Sequence, residues 1–147
     1  MSVSVSDLKF YKSISGDSEG GAINTNAEIT DNVDNNLIPD IGSATVKYKK
    51  IFLKNTNSND SANNVVLYSA VPLNTDQCTV EIALGSSTDT QPPASWYSPQ
   101  SYDTGINVGT LGAGDAQGIW IKITTVPRTK STGSGGSVDF VLSVAFT

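Results

Sequence analysis

Hydrophobic residues in this chain recur at alternate positions, in short blocks set apart by clusters of turn-forming residues. Alternation at period two places successive side chains on opposite faces, so each block predicts a β-strand with one apolar side. The clearest block contains Val138, Phe140, Leu142, Val144 and Phe146, with Asp139 and Ser143 between them. Burying five such side chains is worth roughly 1.5–3 kcal/mol each before conformational entropy is set against it. A strand carrying that much core must be paired inside a sheet, so removing the last few residues is expected to unfold the domain. Ile119, Ile121 and Ile123 predict a second strand with Trp120 on its opposite face, and Val80, Ile82 and Leu84 predict a third. Leu8 and Phe10 predict a strand near the N-terminus, with Val3 and Val5 as candidates to extend it. Val65-Val66-Leu67-Tyr68 is apolar on both faces, as in a central strand covered on two sides.

One stretch breaks the alternation. In Val46-Lys-Tyr-Lys-Lys-Ile-Phe-Leu53 the apolar set is Val46 and Tyr48, then Ile51 and Leu53, so the parity flips at Lys49-Lys50. A β-bulge there would return both sets to one face, because one extra residue reverses the alternation. The cluster Lys47, Lys49 and Lys50 is split between two faces and is expected on a solvated sheet surface. The connections are expected to differ in character. Residues 55–64 are polar and predict a hairpin connection, whereas 85–100 hold Pro92, Pro93 and Pro99 and predict a long irregular loop. Leu111 to Asp115 predicts a tight turn into the Ile119 strand. The Gly/Ser/Thr-rich stretch 128–137 predicts a mobile hairpin loop between the last two strands. No helix of ordinary length has a matching apolar stripe; the most helix-like segment, 16–30, is too rich in Gly and Asn. The expected fold is all-β: an immunoglobulin-like antiparallel β-sandwich of about seven strands, with residues 1–147 forming a single domain.

Composition supports this reading. The chain is 37% hydrophobic and 16% charged, and Ser, Thr, Asn and Gly make up the difference. Their short polar side chains favour turns and sheet surfaces over helices. The net charge of −5 argues against a nucleic-acid partner, which needs clustered Lys and Arg to neutralise phosphates. No run is long enough to span a bilayer as a helix, so no membrane partner is expected. The N-terminal Met1-Ser-Val-Ser-Val-Ser-Asp7 lacks the basic and apolar regions of a secretion signal, which points to synthesis in a cytoplasm. Cys78 is the only cysteine, so no disulfide can form within one chain, and its place at the start of an apolar strand predicts a small buried hydrophobe.

Candidate chemistry is sparse. The chain has no His, so a nucleophile would need Lys, Asp or Glu as its base, and no spacing marks one. Cys/His clusters for zinc and a phosphate-binding Gly-rich loop are absent from the sequence. No enzymatic activity and no cofactor are expected. Asp31-Asn-Val-Asp-Asn-Asn36 gathers oxygen donors suited to calcium around Asp31 and Asp34. It lacks the spacing of a helix–loop–helix calcium site, and Asx-turn chemistry is the favoured account of it. Trp96, Tyr97 and Tyr102 lie in or beside the Pro-rich loop and are the candidates for contact with a partner, or for plugging an end of the sandwich. A Pro-rich loop is stiff and loses little entropy on docking.

Three stretches in order carry a likeness to a known group. They are Glu28-Ile-Thr-Asp-Asn-Val-Asp-Asn-Asn-Leu-Ile-Pro-Asp40, Tyr48-Lys-Lys-Ile-Phe-Leu-Lys-Asn-Thr-Asn57 and Cys78-Thr-Val-Glu-Ile-Ala-Leu-Gly85, and Val108 to Ile123 extends them. Together they resemble small immunoglobulin-like structural proteins of tailed bacteriophages. The resemblance implies a virion component without enzymatic activity that decorates or cements the capsid surface. It implies the major capsid protein or another virion protein as partner, and assembly as trimers at local three-fold positions. The alternative it leaves open is a tail- or fibre-associated adhesion module that binds host-surface carbohydrate, with Trp96, Tyr97 and Tyr102 as the stacking platform.

Overall fold

The computed structural model describes residues 2–13, 20–29, 45–69, 78–98, 104–125 and 142–147. These form an all-β fold of eight strands in two antiparallel sheets. The strands are β1 (Leu8–Ser13), β2 (Ile23–Glu28), β3 (Thr45–Asn55), β4 (Ala62–Ser69), β5 (Cys78–Gly85), β6 (Ile106–Leu111), β7 (Ala116–Thr125) and β8 (Leu142–Ala145). A single 3₁₀ turn, Val5–Asp7, leads into β1. The larger sheet runs β2-β1-β3-β7-β5 and the smaller β6-β4-β8. From β3 onward every connection passes from one sheet to the other. With β1, β3, β4, β5, β7 and β8 taken as strands A to F, the neighbours A-B-E-D and C-F are those of an immunoglobulin-like sandwich. Two strands are added to that frame: β2 beside β1, and β6 beside β4.

The core fills the space between the sheets. Ile51 and Leu53 of β3, Ile119 and Ile121 of β7, and Val80 and Ile82 of β5 meet Val65 and Leu67 of β4 and Leu111 of β6. Val144 and Phe146 pack against this cluster from the last strand, as their alternation requires. Val138, Phe140 and the stretch 128–137 lie outside the described residues. The last two described strands do not form a hairpin, because β7 pairs with β3 and β5 whereas β8 pairs with β4. Residues 56–61 likewise connect strands of different sheets and not the arms of a hairpin. Asn55 fixes that crossing: its buried amide donates to the carbonyls of Asp60, Leu111 and Gly112 at 2.9, 3.0 and 3.2 Å. It thereby ties the β3–β4 crossing to the tight β6–β7 turn, which the sequence places correctly.

The bulge expected at Lys49-Lys50 is absent. Strand β3 pairs with β7 in unbroken register from Thr45↔Thr125 to Lys54↔Ala116, and with β1 from Lys12↔Ile51 to Leu8↔Asn55. Parity breaks because β3 is buried on both faces. Lys49, Lys50, Ile51, Phe52 and Leu53 are all at most 3% exposed. The expected solvated surface is therefore also corrected for Lys49 and Lys50, both 1% exposed; the Lys47 side chain lies outside what the structure describes. Lys49 shares the inner side with Ile51 and Leu53, and Lys50 lies on the outer side with Phe52. A strand covered on two sides reads as a continuous buried run and loses its alternation. Strand β4 is central in its sheet, as expected, with Val65 and Leu67 fully buried and Val66 and Tyr68 half-buried on the other face.

Candidate contact surface

The outer face of the larger sheet carries a second, smaller buried layer. Tyr11, Lys50, Phe52, Ala83 and Trp120 are buried there although they face away from the sandwich core. Register explains the grouping: Tyr11 pairs with Phe52, and Trp120 lies between Lys50 on one side and Ala83 on the other. Two segments cover the layer, Gly20-Gly21 and the loop that follows β5. Glycine is required at the contacts with the indole. A Cβ on Gly20 would lie 2.6 Å from Trp120 Cη2, and one on Gly85 would lie 2.6 Å from Trp120 Cδ1.

Asp89 is the hub of this layer. The Lys50 ammonium donates to the Asp89 carboxylate, to its backbone carbonyl at 3.1 Å and to the carbonyl of Gly21 at 2.8 Å. All three of its N–H donors thus find an acceptor, as a buried ammonium needs. The same ammonium lies 4.8 Å from the Phe52 ring centroid and 5.7 Å from that of Trp120, favourable positions for a cation over aromatic faces. Trp120 Nε1 donates to the second carboxylate oxygen of Asp89 at 3.1 Å, and Gly21 N–H donates to the Asp89 carbonyl at 2.7 Å. Partial burial raises the Asp89 pKa. Hydrogen bonds from Lys50, the Ser86 backbone and Trp120 outweigh that effect and hold the carboxyl below its usual value.

This clamp pins the start of the Pro-rich loop, and backbone pairing pins its end. Tyr97 forms an isolated antiparallel bridge with Ile82, donating at 2.9 Å and accepting at 2.7 Å. Between these anchors, Trp96 lies against Tyr48 with ring centroids 5.7 Å apart, and the Lys122 ammonium stands 5.6 Å over the indole. Lys122 also approaches Glu81 at 3.9 Å. The outcome is an aromatic patch on a fixed frame: Tyr48 is 37% exposed and Val46 46%, with Trp96 half-buried against Tyr48, while Tyr97, 56% exposed, shares the inner side with its pairing partner Ile82.

Of the residues singled out in the sequence, Trp96 lies in this patch, and the adjacent Tyr97 points to the other side, where it lines a groove with Ile106. Tyr102, Asp31 and Asp34 lie outside the described residues. Among the described residues no three His, Cys, Asp or Glu side chains gather as they would around a metal ion. Sequence reasoning missed Lys50, Asp89 and Trp120 as a unit, since they come from three separate segments. The available signal was the parity break itself, which marked Lys50 as facing away from Ile51 and Leu53. The surface and frame define an antiparallel β-sandwich with an aromatic loop clamped to one face. No protein-family model, curated protein or solved structure matches the chain.

Proposed function

We propose that this protein is a non-enzymatic structural component of a tailed-phage virion, which decorates the assembled head by binding its major capsid protein. The resemblance of residues 28–40, 48–57 and 78–85 to such proteins supports the setting. The observation that carries the binding role is the clamped loop, because aromatic side chains held on a rigid frame can dock without a large ordering cost. A copy seated on each of many equivalent sites, as a trimer at local three-fold positions, would bind the assembled shell and not its free subunits. It would then stabilise the shell by mass action, the head surface being its working location after synthesis in the host cytoplasm. The carbohydrate-binding alternative is less well supported, since it needs open aromatic faces and Trp96 already packs against Tyr48 with Lys122 over its ring. The test is the thermal disruption of expanded, undecorated heads with and without the purified protein. Added protein raises the disruption temperature under this reading. Unchanged disruption, or binding to isolated tails alone, would overturn it.

A further inference from the structure

The edge of β5 is only partly closed by the loop. Ile82 turns its N–H and C=O outward to Tyr97, so it makes no ladder bonds to β7. Register along β5 is unbroken from Cys78↔Thr125 to Gly85↔Gly118, so the same parity turns the N–H and C=O of Leu84 outward too. Continued pairing would join Leu84 to Ser95, two residues along each segment from the Ile82–Tyr97 bridge. That bond is not made. The loop parts from β5 beyond Tyr97 and leaves a groove of about 490 Å³ between them, closed on its third side by the first residues of β6. Leu84, Ser95, Tyr97, Pro93 and Ile106 line it, and none of the described residues that line it is charged. Among the described residues, the outward backbone groups of Leu84 have no protein partner.

We infer that this groove is a docking site for an extended, uncharged peptide segment of a partner protein, which pairs with the free backbone groups of Leu84 and rests an apolar side chain against Tyr97 and Ile106. Three observations fix the class of occupant. The Leu84 N–H and C=O demand one donor and one acceptor from an extended backbone, the geometry that Tyr97 already realises one pair earlier on the same edge. Leu84, Pro93, Tyr97 and Ile106 give the walls apolar surface beside the uncharged Ser95, Thr104 and Asn107, which favours an uncharged, Val- or Leu-sized side chain. A charged side chain entering would lose water and find no counter-charge. An exposed strand edge with these properties is a template for strand addition unless something occupies it. The inference is independent of the head reading: either can fail while the other stands.

The test is an NMR titration of the ¹⁵N-labelled full chain with the blocked peptide acetyl-Thr-Val-Thr-Val-Thr-amide. Saturable shifts confined to the amides of Leu84, Ser95, Tyr97 and Ile106 are expected. N-methylation of the peptide's central residues removes its backbone donors and weakens binding by about tenfold or more. Replacing both Val by Lys is expected to abolish the shifts. An Ile106→Lys variant loses binding while keeping its thermal transition; if it does not fold, the N-methylated peptide on the unmodified chain decides alone. No saturable shift at millimolar peptide, shifts elsewhere, or equal binding of the N-methylated peptide would overturn the inference.

Discussion

Lys50 carries its charge at a covered point on the outer face of β3, where it is 1% exposed, and its neighbours account for how that is tolerated. Three oxygen acceptors, one of them a carboxylate oxygen, and two aromatic rings surround it, so the charge is both paired and hydrogen-bonded. Trp120 closes the arrangement and in turn needs bare backbone at Gly20 and Gly85. Gly85→Ala is therefore expected to destabilise the fold by about 1–3 kcal/mol through overpacking, read as a lower urea midpoint with unchanged slope. Asp89 gives the unit a pH dependence of defined sign. Its folded-state pKa lies below the unfolded value, so its contribution is complete above about pH 5 and is lost as pH falls below about 4. The stability gap between the native chain and Asp89→Asn is expected to be constant at neutral pH and to narrow on acidification. A gap that persists unchanged to the acid end would show that the carboxylate does not hold the clamp. Little of this was legible from residue types, because a salt bridge between sequence positions 39 apart leaves no local pattern. Trp120 was placed on the correct face by alternation, but alternation cannot say that the face is covered.

Strands with one clean apolar side were readable, and those without one were not. β5, β7 and the described part of the last strand follow their period-two patterns. β2 escaped notice because it is a polar edge strand, with Ile23 and Ala27 as its apolar residues. β6 escaped because its pairing with β4 slips between Ala62 and Val66, where Gly109 takes a positive φ of 87° and shifts Leu111 out of phase with Ile106 and Val108. The hairpin expected at 55–64 rested on polar composition, which marks a turn but cannot show whether the chain returns to the same sheet. Asn55, whose buried amide group reaches three carbonyls with its two N–H donors, is the residue that makes it a crossing. The last strand gives an element-scale prediction. β8 closes the smaller sheet against β4, and Thr147 continues the pairing with Asn63 through bonds of 2.8 and 3.1 Å. A chain ending at residue 141 uncovers Leu67 and the core beside it, and is expected to show no cooperative thermal unfolding. A sharp transition in that truncated chain would mean that the smaller sheet is dispensable.

At the scale of the molecule, burial on both sides of β3 divides labour between the two faces of the larger sheet. The inner face builds the sandwich with β4, β6 and β8. The outer face holds a clamp at one place and an aromatic patch at another, with one loop joining them. Stability and contact are thereby separable, because Trp96 and Tyr97 project from a frame fixed by other residues. The fold class was legible from alternation, and two candidate contact residues were legible as aromatics in a stiff loop; the frame that orients them was not, because it depends on which sheet faces are covered. The most direct test of the account is co-sedimentation of the purified chain with expanded phage heads, comparing the native sequence with Trp96→Ala/Tyr97→Ala. The native chain is expected to pellet with heads, and the variant to stay in the supernatant while keeping a cooperative thermal transition. A native chain that remains soluble beside the heads, or a folded variant that pellets as well as the native chain, would contradict it.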